Sequence, residues 1–233
     1  MSLRTTLIGA TAALCLTLLP ALAGPYRDAE ARIASAYADY RTALFQTNQK
    51  NQAATDAALA SFKTKWTTLA ADWKAAPPPQ YVDDAKLGDT LAEIARVADE
   101  AAKLSAAGDL AKSHEVLEAI RDALGALRAR NGVVVFSDVM NAYHELMERV
   151  VDHKYDSPAD LTDDVAVLVY LVKEVGTKRP TGGDPAEFEK GFKAMEASVA
   201  ALKAAVRSGD AAAIAAARKG LKPPYSRLFA RFG

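Results

Sequence analysis

The chain has 233 residues, its 29 Lys and Arg balance 29 Asp and Glu, and half of its residues are hydrophobic. Charges of both signs are spread along the chain without long blocks, which argues against a nucleic-acid partner or an anionic membrane surface. The length is sufficient for one large or two small hydrophobic cores.

The first 23 residues have the features of a signal peptide. Arg4 is their only charge, an apolar stretch covers residues 7 to 19, and an Ala-Leu-Ala cleavage site ends at Ala23. We therefore expect export to the periplasm and a mature chain that starts near Gly24. No later stretch approaches the ~20 apolar residues of a membrane helix, so no transmembrane segment is expected in the mature protein.

The single cysteine, Cys15, lies inside this leader and follows Leu14. A lipoprotein signal requires a small residue directly before the modified cysteine, so lipid anchoring is not expected. Cleavage also leaves the mature chain without a thiol, which excludes disulfides, thiolate metal sites and covalent c-type haem.

The remaining sequence predicts an all-α protein, because Ala is abundant, Gly is sparse and alternating strand patterns are absent. Asp109 and Asp210 are expected N-caps, and the proline run at residues 77–79 must end a helix. The Lys222-Pro-Pro-Tyr225 segment should break the last helix. The predicted helices cover residues 26–49, 52–74, 84–107, 109–130, 136–153, 158–177, 185–207 and 210–231.

An internal repeat appears when the chain is laid on itself with an offset of about 101 residues. Residues 84–132 then align with 185–233 without a gap, and the Gly108-Asp109 turn falls on Gly209-Asp210. We predict tandem antiparallel four-helix bundles, a first unit at 24–132 and a second at 133–233. The alternative is that two Ala-rich amphipathic hairpins align through composition alone.

The second unit resembles the four-helix periplasmic cytochromes, the c-prime and soluble b-type group. The similarity lies in Pro185-Ala-Glu-Phe-Glu-Lys-Gly-Phe, in the Ser208-Gly209-Asp210 turn, and in the final Tyr225-Ser-Arg-Leu-Phe-Ala-Arg-Phe. The resemblance implies a helical-bundle fold and a periplasmic address.

The same resemblance implies a haem ligand in the last helix, where this chain has Tyr225 or Ser226 instead of histidine. The C-x-x-C-H motif of the c-type members is absent. Met140 matches the position of the methionine ligand of the b-type relatives. With one ligand of two missing, the resemblance points to fold and compartment more than to bound haem.

Two histidines begin the same pentapeptide pattern, His114-Glu-Val-Leu-Glu118 and His144-Glu-Leu-Met-Glu148. In a helix the i, i+4 spacing places each histidine and its second glutamate on one side, as two ligands of one ion require. The pattern is not the H-E-x-x-H of zinc peptidases. The alternative is a surface histidine beside an ordinary glutamate.

Met140, His144 and Met147 form a second candidate set on one helix. Two thioethers and an imidazole suit Cu(I), and iron is the other metal considered. Against a metal, both methionines lie close to the apolar stripe of the helix, where methionine is a common core residue.

Two functional hypotheses result, both non-catalytic. The first is a periplasmic bundle that binds copper or iron, or less readily haem, through His144, Met140 and Met147, with contributions from His114, Glu118 and Glu148. The alternative is a metal-free, cytochrome-like bundle that serves as an accessory module for a periplasmic protein partner. An enzyme is not expected, because no nucleophile motif or phosphate-binding loop is present.

Overall fold

The computed structural model describes residues 24–155, 157–180 and 182–233, with Pro158 described by its backbone only. The predicted signal peptide at 1–23, with Cys15, lies outside these residues. Helices and turns make up the described part of the chain, and no strand occurs in it. The predicted all-α class is confirmed. None of the helices in the described ranges has the length and apolarity needed to cross a membrane.

The helices follow the predicted order, and all eight predicted segments are present. Their bounds are α1 (Pro25–Asn48), α2 (Gln52–Ala75), α3 (Leu87–Ala106), α4 (Leu110–Arg130), α5 (Phe136–Asp152), α6 (Pro158–Thr177), α7 (Pro185–Ser208), α8 (Ala211–Gly220) and α9 (Lys222–Phe232). A 3₁₀ turn at Pro79–Tyr81 separates α2 from α3. This turn and the residues after it delay the start of α3 beyond the predicted residue 84.

The predicted break in the last helix is confirmed and divides it into α8 and α9 at Leu221. Pro223 and Pro224 lie in the first turn of α9. A proline is tolerated there because the first amide groups of a helix have no intrahelical acceptor, whereas inside a continuous helix the ring would clash with the preceding turn.

The turns that begin α4 and α8 have the same construction. Gly108 and Gly209 have φ values of 81° and 71°, the left-handed region that glycine adopts without steric cost. The next residue caps the new helix: the Asp109 carboxylate accepts from the Lys112 amide at 3.1 Å, and that of Asp210 accepts from the Ala212 amide at 2.8 Å. The equivalence of these turns is what the repeat predicted.

The buried side chains form two clusters, one from Ala29 to Val133 and the other from Phe136 to Phe232. Within the first, α1 packs on α2, α2 on α3, α3 on α4 and α4 back on α1. Within the second, α5, α6 and α7 pack in sequence, and α8 and α9 together take the place of a fourth helix. The predicted tandem four-helix architecture is confirmed, and the change of cluster occurs beside the predicted boundary at residue 133.

Helix α9 closes the second bundle and also reaches the first. Tyr225, Leu228 and Phe232 are buried in the second cluster, while Phe229 packs against both clusters. Gly191 of α7 permits this packing, because a Cβ there would lie 2.8 Å from a methyl carbon of Leu228. The terminal segment therefore packs on its own bundle.

A buried ion-pair network joins the two bundles at Arg128, in the last turn of α4. Its guanidinium is 3% exposed and donates to Glu30 of α1 at 3.3 Å and to Asp138 of α5 at 3.2 Å. The same group donates to the Ser137 hydroxyl at 3.2 Å. Glu30 also accepts from the Tyr81 hydroxyl at 2.6 Å. The network therefore holds α1, α4, α5 and the 3₁₀ turn together.

We predict that Arg128→Met lowers the free energy of unfolding by about 3–5 kcal/mol, because it leaves two largely buried carboxylates, 12% and 19% exposed, without their cation. Urea denaturation followed by circular dichroism measures the change. Arg96→Met is the matched control, since Arg96 pairs with Glu93 and Glu100 on an exposed face of α3. Equal transition midpoints for the two variants would contradict a structural role for Arg128.

Candidate functional site

His144 lies where the two bundles meet, and its side chain is 17% exposed. Arg121 of α4 approaches its Nδ1 at 3.4 Å, and Glu148 Oε1 lies 3.4 Å from its Nε2. Tyr225 of α9 stacks on the ring with centroids 5.0 Å apart. Since arginine can only donate, Nδ1 accepts and the proton of the neutral ring lies on Nε2, facing Glu148.

The charges around His144 favour its neutral form. Burial, the nearby Arg121 and, to a smaller extent, Lys222 lower its pKa from 6.5 to about 4, against the opposing effect of Glu148. Lys222 binds the same Glu148 oxygen at 2.8 Å. A neutral imidazole is the form that ligates metals, but two cations beside it oppose the approach of another cation.

Both methionines of the predicted copper set are fully buried. Met140 and Met147 have no exposed surface and belong to the second hydrophobic cluster. They lie on α5, four residues before and three residues after His144. Their placement is that of core residues in a close-packed bundle, and it matches what the metal-free alternative expects of them.

Arg121 lies between the two predicted His-Glu pairs. His114 accepts or donates a 2.8 Å hydrogen bond with the Thr47 hydroxyl at the end of α1, and its Nε2 lies 3.9 Å from Glu118. Glu118 Oε1 lies 3.9 Å from Arg121 Nη1, the nitrogen that approaches His144 Nδ1 at 3.4 Å, so a cation separates Glu118 from His144. Among the described residues, no three His, Cys, Asp or Glu side chains are grouped in a way that could hold a metal ion.

A cleft of about 890 Å³ lies at the bundle junction, and sequence reasoning did not find it. Its walls come from α1, the connection between α4 and α5, the connection between α6 and α7, and the end of α9. We call it the junction cleft. Its described lining consists of Tyr26, Arg27, Glu30, Ala31, Ala34, Tyr37, Arg41, Arg128, Val134, Val135, Phe136, Ser137, Lys178, Arg179, Pro180, Gly182, Gly183, Arg231, Phe232 and Gly233.

Six of the lining residues are basic and one, Glu30, is acidic. Three of the cations are neutralised by carboxylates. Arg128 is paired with Glu30 and Asp138, while Arg179 pairs with Glu189 at 3.1 Å and Arg231 with Glu187. Their charges therefore contribute little to the potential inside the cleft.

Of the other three cations, Arg27 and Lys178 are exposed and have no carboxylate partner in the described residues. The Arg41 guanidinium contacts the main-chain oxygens of Gly233 and, at 3.4 Å, Arg231. Its Nε is buried without a hydrogen-bond partner in the described part of the chain, and burial lowers the pKa of Arg41. The cleft thus has an excess of positive charge.

Apolar surface lies beside these charges. Tyr26 and Val134 are 46% and 58% exposed, two of six large hydrophobic side chains that are exposed in the described residues. Phe136 and Phe232 form part of the wall, and the Arg41 guanidinium lies 5.8 Å from the centre of the Tyr37 ring. Cations next to apolar surface are suited to a ligand that is both charged and hydrophobic.

The only local sequence signal of the junction cleft is the Lys178-Arg179-Pro180 run between α6 and α7. The other lining residues are scattered from Tyr26 to Gly233 and come together only when the two bundles pack. The aromatic residues of the first hairpin, which could have lined a pocket, are mostly core: Tyr37, Tyr40, Phe62, Trp66 and Trp73 are buried.

We predict that the free energy of unfolding falls by up to about 3 kcal/mol as the pH drops from 6.5 toward 4, because the unfolded chain binds a proton at His144 that the folded chain resists. Well above pH 6.5, His144 is neutral in both the folded and the unfolded chain, and its titration no longer lowers the free energy of unfolding. His144→Gln should flatten the dependence in this window, whereas His153→Gln, which keeps His144, should retain it. Urea unfolding at several pH values tests this; equal slopes in wild type and His144→Gln would contradict it.

Comparison with known proteins found no matching family model, no matching curated sequence and no matching solved structure.

Proposed function

We propose that this chain is an exported, non-catalytic accessory module that binds a ligand in the junction cleft. The observation that carries the proposal is the cleft itself, an open volume of about 890 Å³ with walls from both bundles. Small-molecule sites have volumes of roughly 300–1,000 Å³ and occur preferentially at domain interfaces. The junction cleft satisfies both conditions.

The construction of the cleft supports a preformed site. The Arg128 network fixes its floor, since Glu30, Arg128 and Ser137 belong to both the network and the lining. Arg41, further along α1, fixes the end of α9 through the main-chain oxygens of Arg231 and Gly233. A site whose walls are held by buried contacts loses little conformational entropy when a ligand binds.

The metal hypothesis is the weaker one on physical grounds. Copper ligation through Met140 and Met147 requires thioethers that are now buried core groups to turn toward His144. Arg121 and Lys222 already surround the imidazole with positive charge. For haem, Tyr225 or Ser226 stands where the cytochromes that the second unit resembles have their histidine, and Tyr225 is buried in stacks with His144 and Tyr143. Both metal and haem binding stay predictions.

Export to the periplasm is part of the proposal and rests on the leader at residues 1–23. The resemblance of the second unit to periplasmic cytochromes points to the same compartment. An accessory role is consistent with a cytochrome-like bundle that lacks the haem-ligating histidine and that binds a different ligand in the junction cleft.

Native mass spectrometry tests ligand binding in the cleft. The purified protein is incubated with a low-molecular-weight periplasmic extract, desalted and weighed. We expect a bound small molecule on wild type and its loss in Ala34→Trp, because Ala34 is an exposed lining residue and the indole would fill the cleft. Ala60→Trp, at an exposed position of α2 outside the lining, is the matched control. A ligand retained equally by all three proteins would contradict the proposal.

Metal loading distinguishes this proposal from the metal hypothesis. We predict that the protein exposed to Cu(I) and then desalted retains no stoichiometric copper that depends on His144. Metal analysis of wild type and His144→Ala measures it. One copper per chain in the wild type and none in the variant would establish the metal hypothesis instead.

A further inference from the structure

We infer that the ligand of the junction cleft is an organic anion: an acidic head group, carboxylate, phosphate or sulfonate, joined to an apolar body. This inference rests on the proposed function, because it names the class of ligand that the cleft selects. It is independent of the His144 region, which lies at a different part of the junction.

The charge of the cleft is the first argument. Its lining contains six basic side chains and one acidic side chain, in a chain with equal numbers of acidic and basic residues. The one carboxylate, Glu30, is occupied by Arg128, Tyr81 and Gln80. A cavity with such walls and little exposed negative charge attracts anions and concentrates them near its surface.

The state of the individual cations is the second argument. Arg41 contacts the main-chain oxygens of Gly233 and Arg231, and its buried Nε has no partner among the described residues. Arg27 at the start of α1 and Lys178 at the end of α6 carry no ion pair within the described ranges. An incoming acid could therefore pair with these cations without breaking an existing ion pair, and this favours binding.

The apolar part of the lining is the third argument. A free inorganic anion would leave Tyr26 and Val134 exposed to water, as they are now at 46% and 58%. A ligand with an aromatic or aliphatic body covers this surface as well as meeting the charges. The combination argues for an organic anion over inorganic phosphate or sulfate alone.

The inference can be tested with two fluorescent probes that differ by one charge. Anilinonaphthalene sulfonate and N-phenylnaphthylamine share an apolar body, and only the first carries a sulfonate. We expect the sulfonate to bind at least about tenfold more tightly than the neutral probe, as expected for one charge-assisted contact. Added salt should weaken its binding because the cations are partly exposed.

Variants assign the binding to the cleft. Arg27→Gln and Lys178→Gln should each weaken sulfonate binding several-fold, whereas Lys63→Gln removes the same charge on α2, where Lys63 pairs with Asp99 outside the lining. Ala34→Trp should abolish binding of the sulfonate and Ala60→Trp should not. Circular dichroism confirms that each variant is folded.

The outcomes separate the two proposals. Tighter binding of the sulfonate that depends on Arg27 and Lys178 supports the inference. Equal binding of both probes, lost in Ala34→Trp, overturns the anion inference while the cleft remains a binding site. Probe binding that Ala34→Trp does not change overturns both. Failure of the sulfonate to bind at all overturns the inference, and the native mass measurement then decides the proposed function.

Discussion

The buried charge of Arg128 is the constraint on which the junction of the two bundles depends. A guanidinium with 3% exposure is tolerated only if carboxylates surround it, and here Glu30 and Asp138 come from different bundles. Asp138 in turn accepts from the Val135 amide at 3.0 Å and so caps α5. One cation therefore determines where α5 starts and how the second bundle sits on the first. The floor of the junction cleft follows from the same contacts.

Two charged groups at the junction occupy positions that the predicted repeat aligns. With the 101-residue offset, Arg121 of α4 corresponds to Lys222 of α9, and both lie beside His144 and Glu148. The two aligned segments differ directly after this position. Helix α4 continues without a break to Arg130, whereas Pro223 and Pro224 end the preceding helix, and α9 begins at Lys222. This change frees α9 to turn toward α1, where Phe229 contacts both cores and Gly233 meets Arg41.

Of the six residues predicted as ligands, sequence spacing correctly placed each histidine beside its own glutamate. His114 lies near Glu118 and His144 near Glu148, because i, i+4 neighbours share a helix face whatever the tertiary structure. Spacing could not tell whether Met140 and Met147 face a ligand or the core, since a thioether serves both. It also could not reveal Arg121 and Lys222 as neighbours of His144, because they belong to other helices.

The sequence by itself determined the all-α class, the two four-helix units, the duplicated Gly-Asp turns and the break before Pro223. These features depend on local chemistry: helix propensity, capping aspartates, left-handed glycines and proline rings act over a few residues. The junction cleft was decided only by the tertiary structure. Its cations are distributed between Arg27 and Arg231 in a chain with no net charge, and a balanced composition cannot show that packing places basic residues together and pairs only some of them with carboxylates.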